Sequence, residues 1–460
     1  MKQDNIKLNE RSSLNDRPYQ KFYVPIRAKL LIAILISCLW LALCTYLAIP
    51  WLKDLSNVFG LPLAVLMVFG IALIPGWANA YLISGLLLDR RPVYNLHASL
   101  PPVSVLIAAY NEEDCIFETL QSVLQQNYPG DAEIVVINDG STDNTNAEIE
   151  RARETLSIGE NFSIRHVDQQ PNAGKAAALN AGLAEARHDI IVTVDADTSM
   201  YRDSLARLVI NLIDGPPNTA AVAGTVLVRN SRDSLITRLQ EWDYFLGIAV
   251  VKRIQSLYQG TLVAQGAFSA YHRSAVEAVG GWENTVGEDI VLTWALHQHN
   301  YRVNYAENAF VFTEAPTTYK QFFRQRQRWA RGLIEAFVRH PSIIFRLRLF
   351  TPFVYLNMLF PYLDAAFLFF FVPGVIAAVF FQVYSLVGIM TLFLLPLMIM
   401  INTTMFFYQR NIFRQHGLKV RKNILGLILY MFTYQLIMAP ASSAGYLSEL
   451  FRAKKSWGTK

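Results

Sequence analysis

Cysteine is nearly absent from this chain, and charge is scarce. Only Cys38, Cys44 and Cys115 occur in 460 residues. The first two fall on one predicted helix and Cys115 stands alone. There is thus no disulfide framework and no zinc-ligand spacing, and the bulk of the chain is expected in a reducing compartment. Charged residues make up 17% against 53% apolar, too oily a balance for a wholly soluble protein of this length. Internal repeats and low-complexity tracts are lacking as well. No short apolar core with a small-residue cleavage site marks a signal peptide. The formal charge is +5, with basic residues clustered beside apolar runs. That pattern points to membrane flanks and phosphate contacts rather than a nucleic-acid face.

The apolar residues are gathered into runs. Residues 1–29 form a polar, basic tail with Lys7, Arg11, Arg17, Lys21, Arg27 and Lys29. Leu30–Ile49 follows, about twenty residues, enough to cross a bilayer as a helix. A second run, Leu61–Leu88, is interrupted by Pro75-Gly76, which predicts a kink. The linker between them carries only Lys53 and Asp54, whereas Arg90 and Arg91 follow the second run. The positive-inside tendency therefore places the tail and the next domain on the cytoplasmic face. Apolar runs return at 352–381, 384–407 and 424–447, with a basic loop of Arg410, Arg414, Lys419, Arg421 and Lys422, and a tail at 448–460. Five spans would put Arg452, Lys454 and Lys455 on the outer face, against that tendency. Either this tail is an exception or one run is re-entrant.

Between them, residues 100–340 alternate strand, loop and helix. Three apolar strands are predicted at 103–110, 133–139 and 190–194, the pattern of a doubly wound α/β domain with a mostly parallel sheet. Ligands of such domains sit beyond the carboxyl ends of the strands. Here those ends carry Asn111-Glu112, Asp139-Gly140 and Asp195-Ala196-Asp197.

The Asp195/Asp197 pair leaves its strand tip with both side chains on one face, if the chain stays extended. Two adjacent carboxylates call for a cation, and Mg²⁺ carrying a diphosphate fits one or two of them. In isolation an Asp-rich turn is the plainer reading; the other motifs reverse it. Asp139 could accept hydrogen bonds from a base or ribose, or belong to a capping-rich loop. Lys175 opens an Ala-rich helix whose amide terminus and ammonium suit a diphosphate, although a solvated lysine would look the same. Glu288 and Asp289 open a further helix, as caps or with Asp289 as a base for an acceptor hydroxyl. In 319–333, Lys320, Arg324, Arg326, Arg328 and Arg331 alternate with Phe322, Phe323 and Trp329. This reads as an amphipathic helix on the inner leaflet, within which Arg328 could hold a diphosphate and Trp329 stack on a sugar. The Arg324/Arg328 spacing also matches cyclic-dinucleotide sites, but the small β-barrel that accompanies them is missing.

Taken in order, Asn111-Glu112, Asp139, Lys175, Asp195/Asp197, Asp289 and Gln325-x-x-Arg328-Trp329 resemble the processive family-2 glycosyltransferases, which make cellulose, chitin, hyaluronan and poly-N-acetylglucosamine. The stretch 241–282, EWDYFLGIAVVKRIQ through AVGGW, is similar to the bacterial poly-β-1,6-N-acetylglucosamine synthases. The resemblance implies a GT-A nucleotide-sugar fold set between transmembrane helices, two before and about three after, with an interfacial helix at 319–338. It implies a UDP-sugar donor, a polysaccharide acceptor, Mg²⁺ or Mn²⁺, and inversion at the anomeric carbon. By position, Asp139 would contact uridine, and Asn111, Glu112, Lys175 and Asp195 the nucleotide sugar. Asp195 and Asp197 would bind the metal and Asp289 would be the general base. Gly266, Glu288 and Trp329 would meet the acceptor, while Gln325, Arg328 and Trp329 would gate the site. The setting implied is a bacterial inner membrane, with polymer threaded outward.

Departures are informative. Gly287 stands where many relatives have Thr, and no cyclic-dinucleotide barrel follows the last span. Second-messenger control would then belong to a partner, and a small accessory membrane subunit is implied too. Tyr355, Tyr362, Phe367, Tyr430 and Tyr434 could line a path through the spans, although packing is the commoner role. Asp364, a carboxylate inside a span, is the better pointer to an interior surface. Two rivals stay open: a non-processive transferase acting on a lipid carrier, and a membrane scaffold with an inactive domain.

Overall fold

The chain enters its first apolar helix, α1 (Ile26–Phe59), after Pro25. This is a computed structural model, which describes residues 24–90, 99–387 and 394–453. Most of the basic tail, together with Arg91, Lys454 and Lys455, lies outside the described residues. Arg27 and Lys29 belong to the first turns of α1 rather than to a tail. The expected linker around Lys53 and Asp54 is also helical: α1 passes through Pro50, and the chain turns only at Gly60, whose φ of 78° suits glycine. Next come α2 (Leu61–Val68), a π-helical turn at Phe69–Leu73, and α3 (Ile74–Leu88). Pro75 has no N–H to donate one turn back, so the predicted kink takes the form of a widened turn just before it.

The α/β domain opens with β1 (Val103–Ala109), α4 (Ile116–Leu124), β2 (Ala132–Asp139), α5 (Thr145–Thr155), β3 (Phe162–Gln169), α6 (Lys175–Glu185) and β4 (Ile190–Val194). The strands pair in the order β3-β2-β1-β4, all parallel. Its second half holds β5 (Thr198–Met200), α7 (Ser204–Ile213), β6 (Thr219–Val228), α8 (Leu235–Trp242), a π turn (Asp243–Ile248), α9 (Ala249–Leu257), β7 (Phe268–His272), α10 (Arg273–Ala278), α11 (Glu288–Gln298) and β8 (Arg302–Thr313). These complete one eight-stranded sheet, β3-β2-β1-β4-β7-β6-β8-β5. β7 runs antiparallel to β4 and β6, and β5 antiparallel to β8, so the sheet is mixed rather than mostly parallel. Alternation along the strands builds two cores. Val103, Val105 and Ile107 pack under α4 and α7, while Leu106, with Val135 and Ile137 of β2, packs under α6.

The chain then forms α12 (Tyr319–Arg339), a 3₁₀ turn (Pro341–Phe345), α13 (Thr351–Ala366), a π turn (Phe367–Phe371), α14 (Val372–Phe381), α15 (Leu394–Gln415) and α16 (Ile424–Leu450). α12 starts at a capping box, in which Thr318 Oγ1 accepts from the Gln321 amide. Among the described residues, four helical stretches are long and apolar enough to cross a membrane: Ile26–Phe59, Leu61–Leu88, Thr351–Phe381 and Ile424–Leu450. Part of the expected 384–407 run, residues 388–393, lies outside the described residues. Asp364 is buried between α13 and α16, where Gln435 and Tyr446 donate to its two oxygens at 2.8 and 3.1 Å. The membrane aromatics pack in part through their hydroxyls: Tyr355 donates to Ile344 O and Tyr362 to Leu66 O.

The helices have a near and a far end relative to the sheet. At the near end Arg253 of α9 pairs with Asp89 just after α3, and Gln409 of α15 donates to Phe245 O. At the far end Trp51 donates to Ser385 O, and Leu55, Met67 and Phe370 cluster. α16 is different, being fastened to the near side at both ends. Asn423, at its start, accepts from Trp242 and donates to Arg238 O. At its finish Gln327 of α12 donates to Ser448, and Arg331 pairs with Glu449.

Candidate active site

Five segments converge on the carboxyl edge of β1, β2 and β4. The loop after β1 is tied to the loop after β2: Asn111 Oδ1 accepts from the Thr142 amide, and the Glu112 amide donates to Thr145 Oγ1. Asn111 takes a positive φ of 55°, which asparagine tolerates better than most residues. These two residues thus shape the rim together.

Asp139 is fully enclosed. Its two oxygens accept the amides of Ala173 and Gly174 at 2.9 and 2.8 Å, pulling that loop into place just ahead of Lys175. Asp139 thus braces this loop from beneath.

Lys175, at the first turn of α6, reaches across to Asp195 Oδ1 at 2.5 Å and to Glu288 Oε1 at 3.5 Å. Burial disfavours its ammonium, but Asp195, Glu288 and Asp289 outweigh this and hold its pKa above the usual lysine range. Asp195 and Asp197 come together through a turn, not through strand alternation: the Thr198 amide donates to Asp195 O, closing the chain after β4. Asp197 accepts from Thr198 and Thr313 hydroxyls at 3.2 and 3.1 Å. Burial, with Asp195 beside it, pushes Asp197 up to about 6. Lys175 balances one of the two carboxylates and leaves the other raised, so the pair fits a divalent cation whose remaining ligands are phosphate oxygens. Among the described residues no third His, Cys, Asp or Glu joins them.

On the same wall, beside Lys175, α11 places Glu288 and Asp289 in its first turn. Asp289 Oδ2 faces the Gly266 amide at 3.4 Å, which puts the β7 approach loop against it. Glu288 is buried; burial and then neighbouring Asp289 drive its pKa upward, against the pull of Lys175. Lys252 of α9 was not singled out from the sequence. It is buried beneath this wall, donates to Val263 O at 3.0 Å, and is pushed down to about 7 by burial.

α12 closes the third side. Gln325 Oε1 is buried without a hydrogen-bond partner, an acceptor that a ligand donor would satisfy. Arg328 makes no ion pair among the described residues and acts electrostatically on Glu288 and Tyr244. Trp329 is 38% exposed. Tyr244, also missed in the sequence, packs against that indole with ring centroids 6.3 Å apart.

One contact explains the Gly287 departure. A Cβ built on Gly287 would lie 2.6 Å from Gly332 Cα, and one on Gly332 would lie 2.8 Å from Gly287 Cα. Glu335, one turn along α12, accepts the Val286 and Gly287 amides at 2.8 and 3.1 Å. This buried carboxylate braces the start of α11 from α12, and it too was missed. Its place on the apolar side of the predicted helix was the available signal. Gly287→Thr is accordingly expected to force the helices apart at a cost of about 1–3 kcal/mol. Thermal unfolding should shift down, and turnover should fall more than donor affinity; a variant with wild-type melting and turnover would refute the clash.

Residues 104–280 match Glycosyl transferase family 2. This chain carries a family 2 glycosyltransferase domain. Two similar relatives are poly-β-1,6-N-acetyl-D-glucosamine synthases. One, from Staphylococcus aureus, is 36% identical over 253 residues, 55% of this chain and 59% of that protein. The other, from Staphylococcus epidermidis, is 35% identical over 244 residues, 53% of this chain and 57% of that protein. The matched region thus spans somewhat over half of those relatives. A solved mannosyltransferase from Pyrobaculum calidifontis, in complex with GDP-Man and Mn²⁺, shares the fold with a TM-score of 0.52 at 21% identity. That match covers 85% of this chain and all of that one. The GT-A expectation is borne out, with apolar helices before and after the transferase domain.

Proposed function

We propose that this chain is a processive hexosyltransferase that moves N-acetylglucosamine from UDP to a growing polysaccharide, with inversion, and passes the polymer across the membrane. One observation carries this reading: Lys175, Asp195, Glu288, Asp289 and Gly266 share one wall of a cleft whose other wall is α12 with Arg328 and Trp329. Donor chemistry and an aromatic platform thereby face each other. The likeness to the staphylococcal synthases supports the choice of sugar.

In this reading Asp195 and Asp197 hold Mg²⁺ or Mn²⁺, which would neutralise charge on the departing diphosphate. Lys175 orders Asp195, and Arg328 supplies a further cation to the same charge. Asp289 takes the proton of the acceptor hydroxyl as it attacks. Trp329 aligns the acceptor, so that binding is converted into rate. In this reading the site lies at the cytoplasmic face of a bacterial inner membrane, and the apolar helices before and after the domain support that setting. There α16, tied to the domain at both ends, lies along that face rather than crossing, which keeps Arg452 on the same side and satisfies the charge tendency.

The test supplies purified protein in lipid with separate radiolabelled UDP-sugars and Mn²⁺. Long product digested by a poly-N-acetylglucosamine-specific glycosidase is expected. A single-sugar lipid product points instead to a lipid-carrier transferase, and no nucleotide release refutes catalysis altogether.

A further inference from the structure

Arg326 is one of the largest wholly buried side chains, at 1% exposure. It interrupts the apolar stripe of α12, between Phe322 and Ala330. Its ion partner is Asp243, at 3.1 Å, on the first residue of the π turn. That contact lacks hydrogen-bond alignment, and Nε, Nη1 and Nη2 form no hydrogen bond. The same Asp243 oxygen accepts from Tyr434 of α16 at 2.7 Å. A guanidinium so enclosed and so poorly served is costly, and an apolar residue would pack there more cheaply.

The counterpart is Trp329. The guanidinium carbon lies 3.9 Å from its ring centroid, against 5.1 Å for Phe322 and 5.8 Å for Tyr244. Arginine stacks flat on indole, and the i, i+3 spacing delivers it there. One face of the indole is therefore covered, leaving the other for a sugar ring.

We propose that Arg326 is a positioning residue that fixes the plane of Trp329 from behind, and that Asp243 and Tyr434 hold Arg326, so that α16 sets the tilt of the acceptor platform. This rests on the reading of Trp329 as that platform. Nothing in the reaction passes through Arg326 itself. Its effect appears in how well the chain end is seated, while the donor pocket is untouched.

The experiment uses the full chain in lipid nanodiscs with UDP-N-acetylglucosamine and Mn²⁺, reading UDP affinity, turnover and product length. Arg326→Lys keeps the charge opposite Asp243 but loses the flat stack. Elongation should drop about tenfold, the size of a single cation–π contact, with UDP affinity within about twofold. Tyr434→Phe should give the same pattern at about threefold, since Asp243 loses a hydroxyl donor but keeps its charge opposite Arg326. The deciding variant is Arg326→Lys with Trp329→Ala, which should elongate no worse than Trp329→Ala alone. Losses that multiply, normal elongation in Arg326→Lys, or an equal loss of UDP affinity each overturn the proposal. If Trp329→Ala itself elongates normally, the platform reading fails and takes this one with it.

Discussion

Asp289→Asn is expected to reduce sugar transfer by about 10³–10⁴-fold, at the upper end of what a positioned base contributes, while UDP affinity stays within about twofold. The substitution is close to isosteric. Asp289 Oδ1 accepts from the Ile290 amide at 2.7 Å, and an amide oxygen can keep that bond. What disappears is the capacity to take a proton at the oxygen facing Gly266. In the proposed reading the donor is held by Lys175 and the Asp195/Asp197 turn, so nucleotide binding has little reason to change. Turnover and UDP affinity measured on one preparation decide the matter. Unchanged turnover removes Asp289 as the base, and lost UDP affinity makes it part of the donor site.

Asp197→Ala should cost at least about a hundredfold in Mn²⁺-dependent donor affinity, about 2.7 kcal/mol. After the change Asp195 remains, but Lys175 already engages it at 2.5 Å, so one neutralised carboxylate must serve alone. Thr198 and Thr313, whose hydroxyls now point at Asp197, are poor substitutes for an anionic ligand. The readout does not require catalysis: UDP binding titrated with and without Mn²⁺ should differ in the native protein and coincide in the variant. A variant that titrates normally with Mn²⁺ sinks the assignment.

Much of this site was legible because its residues sit where local sequence rules act. Lys175 and Asp289 open helices, Asn111 ends a strand, and 319–339 carries a helical stripe. The pairing of the second half was not legible. β7 lies between β4 and β6 through contacts about eighty and about fifty residues apart in sequence, and no local pattern encodes those neighbours. Asp139 shows a different limit. A loop aspartate looks the same from sequence whether it faces a base or the amides of Ala173 and Gly174. Asp195 and Asp197 meet through a turn rather than an extended strand, a difference that the residue pattern alone does not encode. Arg326 was visible as a basic residue, and its position on the buried stripe was the unread clue.

The glycine contact between α11 and α12 reaches beyond stability. With Gly287 against Gly332 and Glu335 capping the join, Asp289 and Trp329 belong to one stiff bracket. Spin labels on the two helices should then report a single separation with and without UDP; two populations would refute this. Under the proposed function, a lengthening glycan would step past a fixed post, and the room for nucleotide to leave would open on the Lys175 side instead.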